Sequence, residues 1–447
     1  MKSKSCKITC TKRGVFMSTD SNPGLFARGK GSLTGWQETV GVPARKSSCM
    51  RVAIAAAFAA PLLRPMKMDS FAINWFSKTS DGKTTLLYAA ASVAGLISDD
   101  GLPGWADSEA GLEDQARGHR DCSMPLDDSG DGSHKVPLHV KARALEFMVA
   151  RNRPRRLAKR YERANALQGR EWRIIAQSSS EAALSQIAIK AGQRRLGGEE
   201  VRLTDVPASD SVSVGIIDGK IKCLAGRTLR ETTQKLVDQI RIDAEINQGF
   251  PLRAFLRTYV KDVMALAKVK RYKDQFEREV TVSSSNAALR IRSNFALIWA
   301  AAALAIDYGV LPWKKRPTFK AVEKCLRQAL AVIESSRSAN ASPGSVLSTL
   351  KKKLEGADIA EVVLREPATP DQVRDRANAD GFQINGDIYL KPDRLRAWLP
   401  SKTDRALLKG EGLLRTRRED VDTTDQLIPG IPGKPRYYVL DGSKLST

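Results

Sequence analysis

Hydrophobic positions divide the chain into stretches of different period. Residues 1–35 are polar, glycine-rich and without period, and read as an irregular lead-in, the remnant of a longer N-terminal region. Residues 36–66 turn helical, with an alanine-rich stretch over 52–63 that stops near Pro61 and Pro65. The run FAINWF (Phe71–Phe76) predicts a buried strand, 77–83 a polar turn, and 84–95 (TTLLYAAASVAG) a helix ended by Gly95. Strand, tight polar turn, helix is the opening unit of an α/β nucleotide-binding domain. Further strands are predicted at 122–126, ending in Asp127 and Asp128; at 172–176 (WRIIA), ending in the polar run 177–180; and at 201–206 (VRLTDV). Helical segments separate them, so a mostly parallel sheet with helices on both faces is expected over 67–225.

From 226 to 340 the pattern is almost entirely helical, as in 229–246, 252–268, 286–308 and 319–336. A linker by composition follows at 335–343 (SSRSANASP). In 345–447 short helices precede DIYL (Asp387–Leu390), another helix carries Trp398, and strands are predicted at 413–417 and 436–440 (RYYVL). Helices followed by a hairpin are the layout of a winged-helix-like α+β domain. The expected organisation is therefore lead-in 1–35, helical lead-in 36–66, α/β P-loop NTPase core 67–225, helical domain 226–340 and winged-helix-like domain 345–447. No apolar run approaches the ~18–20 residues a spanning helix needs. The two longest, 52–63 and 295–306, read as buried helices, and no membrane partner is expected.

Charge sharpens this picture. The 447 residues hold 73 Lys+Arg and 50 Asp+Glu, a formal net charge of +23. Such an excess points to a polyanion, nucleic acid first. Six scattered cysteines form no CxxC pair, and the three histidines lack metal-ligand spacing. That usage fits a reducing cytoplasm. The basic N-terminus carries no apolar stretch of a signal peptide.

The segment 77–84, SKTSDGKT, matches G-x-x-x-x-G-K-[ST] at Gly82, Lys83 and Thr84, with Ser77 in place of the first glycine. Such a turn directs backbone N–H groups at phosphate oxygens, and the helix behind it adds its positive dipole end. Nucleotide-binding residues are Ser80, Asp81, Gly82, Lys83, Thr84 and Thr85. Lys83 would neutralise the β/γ-phosphates, and Thr84 would give a hydroxyl to Mg²⁺. The acidic strand end supplies Asp127 for Mg²⁺ through water and Asp128 to orient the attacking water. Lys83, Asp127 and Asp128 are the catalytic candidates. Ser178 and Ser179, in the polar run, are candidates to sense the γ-phosphate.

Between these strands lies ARNRPRRLAKRYERA. Arg151, Arg153, Arg155, Arg156, Lys159 and Arg160 make it a candidate to track a phosphate backbone. Arg194, Arg195 and Arg202 are candidates for an arginine finger reaching a neighbouring subunit's ATP.

Ordered along the chain stand SLTGWQE (32–38), AAAFAAPLL (55–63), SDGKTTLLYAAASV (80–93), WADSEAGLEDQA (105–116), PLDDSGDG (125–132), WRIIAQSSSE (172–181), GEEVRLTDVPA (198–208) and RYYVLDG (436–442). Together they resemble domain-of-unknown-function family 927. Those are P-loop ATPases of plasmids, prophages and integrated elements, described as helicases and often fused to or encoded beside a primase. The resemblance implies that Lys83, Thr84 and Asp127 bind Mg-ATP, and that a helical region and a small C-terminal domain follow the core. Ser77 and Asp128 depart from the family's usual glycine and glutamate.

The expected function is an ATP-dependent DNA helicase or translocase serving replication of a mobile element. It would act as a ring, expected to be a hexamer, with single-stranded DNA in the pore and duplex DNA or a primase at the C-terminal domain. The alternative, prompted by Ser77 and Asp128, is a nucleotide-gated DNA-binding or loading protein with little hydrolysis.

Overall fold

The computed structural model describes residues 6–11, 14–19, 29–105, 108–127, 136–153, 171–191, 195, 197–210, 213–339, 343–364, 366–399, 402–415 and 422–445. The chain divides into two compact units, Met1–Ile333 and Glu334–Thr447.

The stretch read as an irregular lead-in contains a hairpin. Strands β1 (Cys6–Thr11) and β2 (Gly14–Thr19) pair antiparallel, with Ile8 opposite Met17. The alternation Cys6, Ile8, Cys10 is a period-two pattern hidden by the polarity of the residues between.

Unit 1 is built on a four-stranded parallel sheet. Its strands are β3 (Phe71–Phe76), β4 (Ser123–Leu126), β5 (Ile175–Ser180) and β6 (Leu203–Pro207), in the order β4-β5-β3-β6. The third strand thus starts three residues later than its apolar run, and takes in the whole polar run to Ser180. The fourth is likewise displaced, because the helix Gly197–Arg202 holds the residues before it. Helix α1 (Ser48–Ala59) and helix α2 (Lys83–Ser92) cover one face of the sheet. Helices α3 (Glu109–Gly118), α4 (Leu138–Arg151) and α5 (Leu184–Lys190) belong to the other layer, and α6 (Gly197–Arg202) touches both α4 and the helix Asn286–Asp307. Alternation decides which side chain meets which layer. Ile73, Trp75 and Ile175 join the core under α1 and α2, whereas Ala72, Met124, Leu126 and Ala176 join the core under α3 and α4.

The helical region read as its own domain shares the first of these cores. It comprises α7 (Leu229–Ile246), α8 (Phe250–Lys261), α9 (Ala265–Glu279), α10 (Asn286–Asp307) and α11 (Lys315–Ala339), within which unit 1 ends. Phe255, Phe276 and Phe295 are buried together with Phe58 of α1 and Leu87 of α2. Alanines make this possible: α1 and α10 carry so few large side chains where they meet that their backbones approach closely. Among the described helices, α10 is long and apolar enough by length and composition to cross a membrane. Residues 295–305 are buried within unit 1, against α1 and α9.

Unit 2 holds α12 (Pro343–Glu355), β7 (Ile359–Glu361), α13 (Pro370–Asn378), β8 (Gly381–Ile384), β9 (Asp387–Leu390), α14 (Pro392–Trp398), α15 (Lys402–Gly410), β10 (Leu414–Arg415), β11 (Thr424–Asp425), β12 (Arg436–Leu440) and α16 (Gly442–Leu445). The sheet runs β10-β12-β9-β8-β7, with β11 also on β12. β10 and β12 pair antiparallel, Leu414 opposite Leu440, where a terminal hairpin was expected. β7 and β8 extend the sheet beyond that expectation. Asn385 (φ 50°) and Gly386 (φ 86°) sit at the two-residue turn that joins β8 to β9, both in the left-handed region that tight hairpin turns use. One core gathers Leu350, Leu390, Leu408 and Leu440; a second sets Phe382 against Tyr437 at 5.6 Å.

Candidate nucleotide site

The loop from β3 to α2 lies at the carboxyl end of the parallel strands, where open α/β sheets bind ligands. Two left-handed residues shape it, Ser80 (φ 66°) and Gly82 (φ 97°), a backbone form from which anion-binding concavities are made. A Cβ at position 82 would also stand 2.9 Å from Val237 Cγ1. Ser77 is not among the residues at positive φ. It is buried, and its N–H donates to the Ser180 carbonyl at 3.3 Å. Serine in place of the first glycine therefore requires no left-handed backbone. Asp81 ties the loop down: its carboxylate accepts the Ser209 hydroxyl at 3.0 Å and its carbonyl accepts the Ile216 N–H at 2.9 Å.

Helix α2 opens without a side-chain cap, Gly82 having none to offer. By contrast Ser47, Ser108, Thr228 and Ser285 each cap the helix that follows them. The positive dipole end of α2 thus faces the loop. Lys83 curls back, its Nζ donating to the carbonyls of Ser77 (2.8 Å) and Lys78 (2.9 Å). Thr84 Oγ1 donates to Asp127 Oδ1 at 3.3 Å, while Thr85 turns into the core. Thr79 bonds Glu181 across the mouth of the loop.

Asp127 reaches this point because β4 ends one residue earlier. Leu126 pairs with Ser178, so Asp127 comes level with Ser179. Its N–H donates to the Pro103 carbonyl at 3.0 Å, and its Oδ1 accepts the Ser179 hydroxyl at 2.9 Å. Lys83 and Thr84, Asp127 and Ser179, from three separate segments of the chain, thus converge at one edge of the sheet. Two hydroxyls around one carboxylate make an all-oxygen donor set, the kind a hard divalent cation such as Mg²⁺ takes. Among the described residues no group of three or more His, Cys, Asp or Glu is gathered to hold a metal.

Other candidates fall elsewhere. Ser178 points to the opposite face from Ser179, donating to Asn74 Oδ1 at 3.0 Å, so it is not at the site. Arg195, a finger candidate, faces inward in this structure. Its side chain is 7% exposed and grips Glu146 Oε1 at 2.5 Å and Asp205 Oδ2 at 3.0 Å, and reaching another subunit would break both pairs. Arg202, partly exposed, ends α6 immediately before β6. Arg151 is drawn into the fold by Glu113 at 3.0 Å, whereas Arg153 is exposed. Asp128, Arg155, Arg156, Lys159, Arg160 and Arg194 lie outside the described residues.

Two residues unremarked in the sequence organise the far side of the sheet. Asn74 Nδ2 donates to Ser180 Oγ and to Asp205 Oδ1, both at 2.8 Å. Asp205 also accepts the N–H groups of Leu184 (3.1 Å) and Ser185 (3.2 Å). The signal was a lone amide inside the apolar run FAINWF, and an acid inside VRLTDV.

No curated protein matches the chain. A solved structure titled "SCCmec type IV Cch - active helicase" is similar at a TM-score of 0.49 and 13% identity, covering 94% of this chain and 72% of that one. The model of the family described as "Domain of unknown function (DUF927)" matches residues 5–166, a stretch that contains Lys83, Thr84 and Asp127. The match takes in the ordered motifs from SLTGWQE (32–38) to PLDDSGDG (125–132).

Proposed function

We propose that this chain is an ATP-driven DNA translocase or helicase of the cytoplasm, working as a ring of six copies. The convergence of Lys83, Thr84, Asp127 and Ser179 at the start of α2 carries this reading. Mg-ATP, when bound, supplies the phosphoanhydride bond whose cleavage drives movement. Lys83 would exchange its two loop carbonyls for the β- and γ-phosphate oxygens. The Thr84 hydroxyl and the Asp127 carboxylate would hold Mg²⁺, and Ser179 would donate toward the γ-phosphate. Asp128, next to Asp127, would orient the attacking water, and Arg202 or Arg194 would reach the neighbouring copy's nucleotide. The net charge of +23 supports a polyanionic track. Arg153, exposed at the end of α4, would begin the DNA-contacting run of the pore. Unit 2, whose terminal hairpin follows helices, would act as a winged-helix-like contact for duplex DNA or a primase.

The test is ATP hydrolysis with and without single-stranded DNA, beside Lys83→Ala. We expect DNA-stimulated turnover, reduced by at least roughly 10²-fold in the variant. ATP binding that depends on Lys83 without turnover would favour the nucleotide-gated binder instead. ATP binding that survives Lys83→Ala would sink both readings.

A further inference from the structure

The turn between α8 and α9 displays apolar side chains to solvent. Val263 is 96% exposed, Met264 56%, Val260 49% and Leu266 46%. Apolar residues exposed singly are ordinary, but four within residues 260–266, the turn and the helix ends beside it, make a patch of the kind that marks an interaction site. The turn is also rigidly built. Asp262 Oδ1 accepts the Met264 N–H at 3.0 Å, and its Oδ2 accepts Lys268 Nζ and the Tyr308 hydroxyl, each at 2.8 Å. These bonds, that from Lys268 foremost, hold the Asp262 carboxyl below its ordinary range. Behind the turn Phe255 packs on Tyr259 at 6.1 Å and on Tyr308 at 5.7 Å.

The surroundings are cationic. From Arg253 to Arg271 the acid is Asp262, already engaged, against Arg253, Arg257, Lys261, Lys268, Lys270 and Arg271. Arg257, Lys261, Lys270 and Arg271 are exposed. An apolar tip inside a cationic rim fits a polymer with anionic edges and flat apolar faces, which describes a base step between its phosphates.

We propose that Val263, Met264 and Leu266 form a wedge that enters between bases where a duplex opens, with Arg257, Lys261, Lys270 and Arg271 on the flanking phosphates. This rests on the DNA reading above and names where in unit 1 strands would be parted. Hydrogen bonds join the wedge to the nucleotide site. The Gly249 N–H donates to the Ser92 carbonyl at 2.8 Å and the Leu252 N–H to the Val93 carbonyl at 3.0 Å, so α8 starts where α2 ends. Helix α2 spans about 15 Å and α8 about 18 Å, so two stiff rods link phosphate loop and wedge.

The test uses Val263→Ser/Met264→Ser, with the single Val263→Ser as a second variant at an almost fully exposed position. Thermal unfolding checks that both fold. Affinities are measured for a forked duplex and for a single strand of equal length, with 2-aminopurine at the junction reporting unstacking. We expect wild type to favour the fork and brighten the junction base. The double variant should lose about tenfold of that preference, the size of one base-stacking contact, together with the fluorescence rise. The single variant should move the same way by less. An unmoved preference and signal would overturn the wedge while leaving the DNA reading intact. A wild-type chain that binds neither DNA overturns both. A variant that changes only the sedimentation of the protein would assign the tip to contact between copies and overturn the wedge. Equally, a variant that changes only binding to phosphatidylserine/phosphatidylcholine vesicles would assign it to lipid and overturn the wedge.

Discussion

The two faces of β5 carry the same residue type and differ in what surrounds it. Ser179 faces α2 and gives its hydroxyl to Asp127, which is partly exposed at the sheet edge and shared with Thr84. Ser178 and Ser180 face the other layer and bond to Asn74, itself bonded to Asp205. Behind Asp205 stand Arg195 and Glu146, with side chains 7% and 2% exposed. One hydroxyl thus serves an open constellation, whose carboxylate, Asp127, is partly exposed, and two belong to a closed one, whose carboxylates, Asp205 and Glu146, are buried. The difference teaches that a polar residue in a buried strand is functional or structural according to whether its partners reach solvent.

The largest expected effect separates the closed set from the open one. Arg195→Ala leaves Asp205, and above about pH 7 also Glu146, as buried carboxylates without their cation. Breaking such a pair costs about 3–5 kcal/mol. Urea unfolding should show a loss of that size, while the ATP affinity of the folded fraction stays close to wild type. A stable variant with lost ATP affinity would invert the assignment and restore Arg195 as a finger.

A smaller effect comes from exchanging the roles of neighbouring serines. Ser178→Ala removes the donor to Asn74 Oδ1 at a buried position, which costs about 1–3 kcal/mol. Ser179→Ala should cost less than about 1 kcal/mol, because Thr84 still donates to Asp127, but should lower ATP turnover on the order of 10²-fold. Measuring urea midpoints and turnover for both variants checks the pair. Equal behaviour would erase the distinction between the two faces.

Much of this was legible in the sequence. FAINWF followed by SKTSDGKT gave strand, loop and helix together, because an apolar run, a glycine and a lysine each have a local physical reason. Asp127 followed from its place at a strand end. The choice between Ser178 and Ser179 was not legible, since it depends on the register Leu126 opposite Ser178, a contact between distant segments. Arg195 reads in the sequence as a finger candidate because its partners, Glu146 and Asp205, lie on other elements. The sharing of one core by α1, α2 and α10 was hidden too: alanine runs announce burial but not what they are buried against.

The smallest expected effect concerns pH and sharpens the closed set. Burial pushes the Glu146 carboxyl up to about 7; Arg195 pulls it down, and the charges of Glu199 and Asp205 push it up further. In the unfolded chain the same group releases its proton near about 4.5. Between about pH 4.5 and 7 the native state therefore holds a proton that the unfolded state has lost, so this group's contribution to stability falls as pH rises through that window. Above it both states are ionised and the contribution levels off. Glu146→Gln removes the titration and keeps an amide near Arg195. Thermal unfolding of both proteins at about pH 5, 6, 7 and 8 should give a steeper decline for wild type across the window and parallel curves above it. Parallel curves throughout would mean that Glu146 is already ionised in the native state at about pH 5, held so by Arg195. The closed set would then be a fixed ion pair, with no titration of its own to set it apart from the open one.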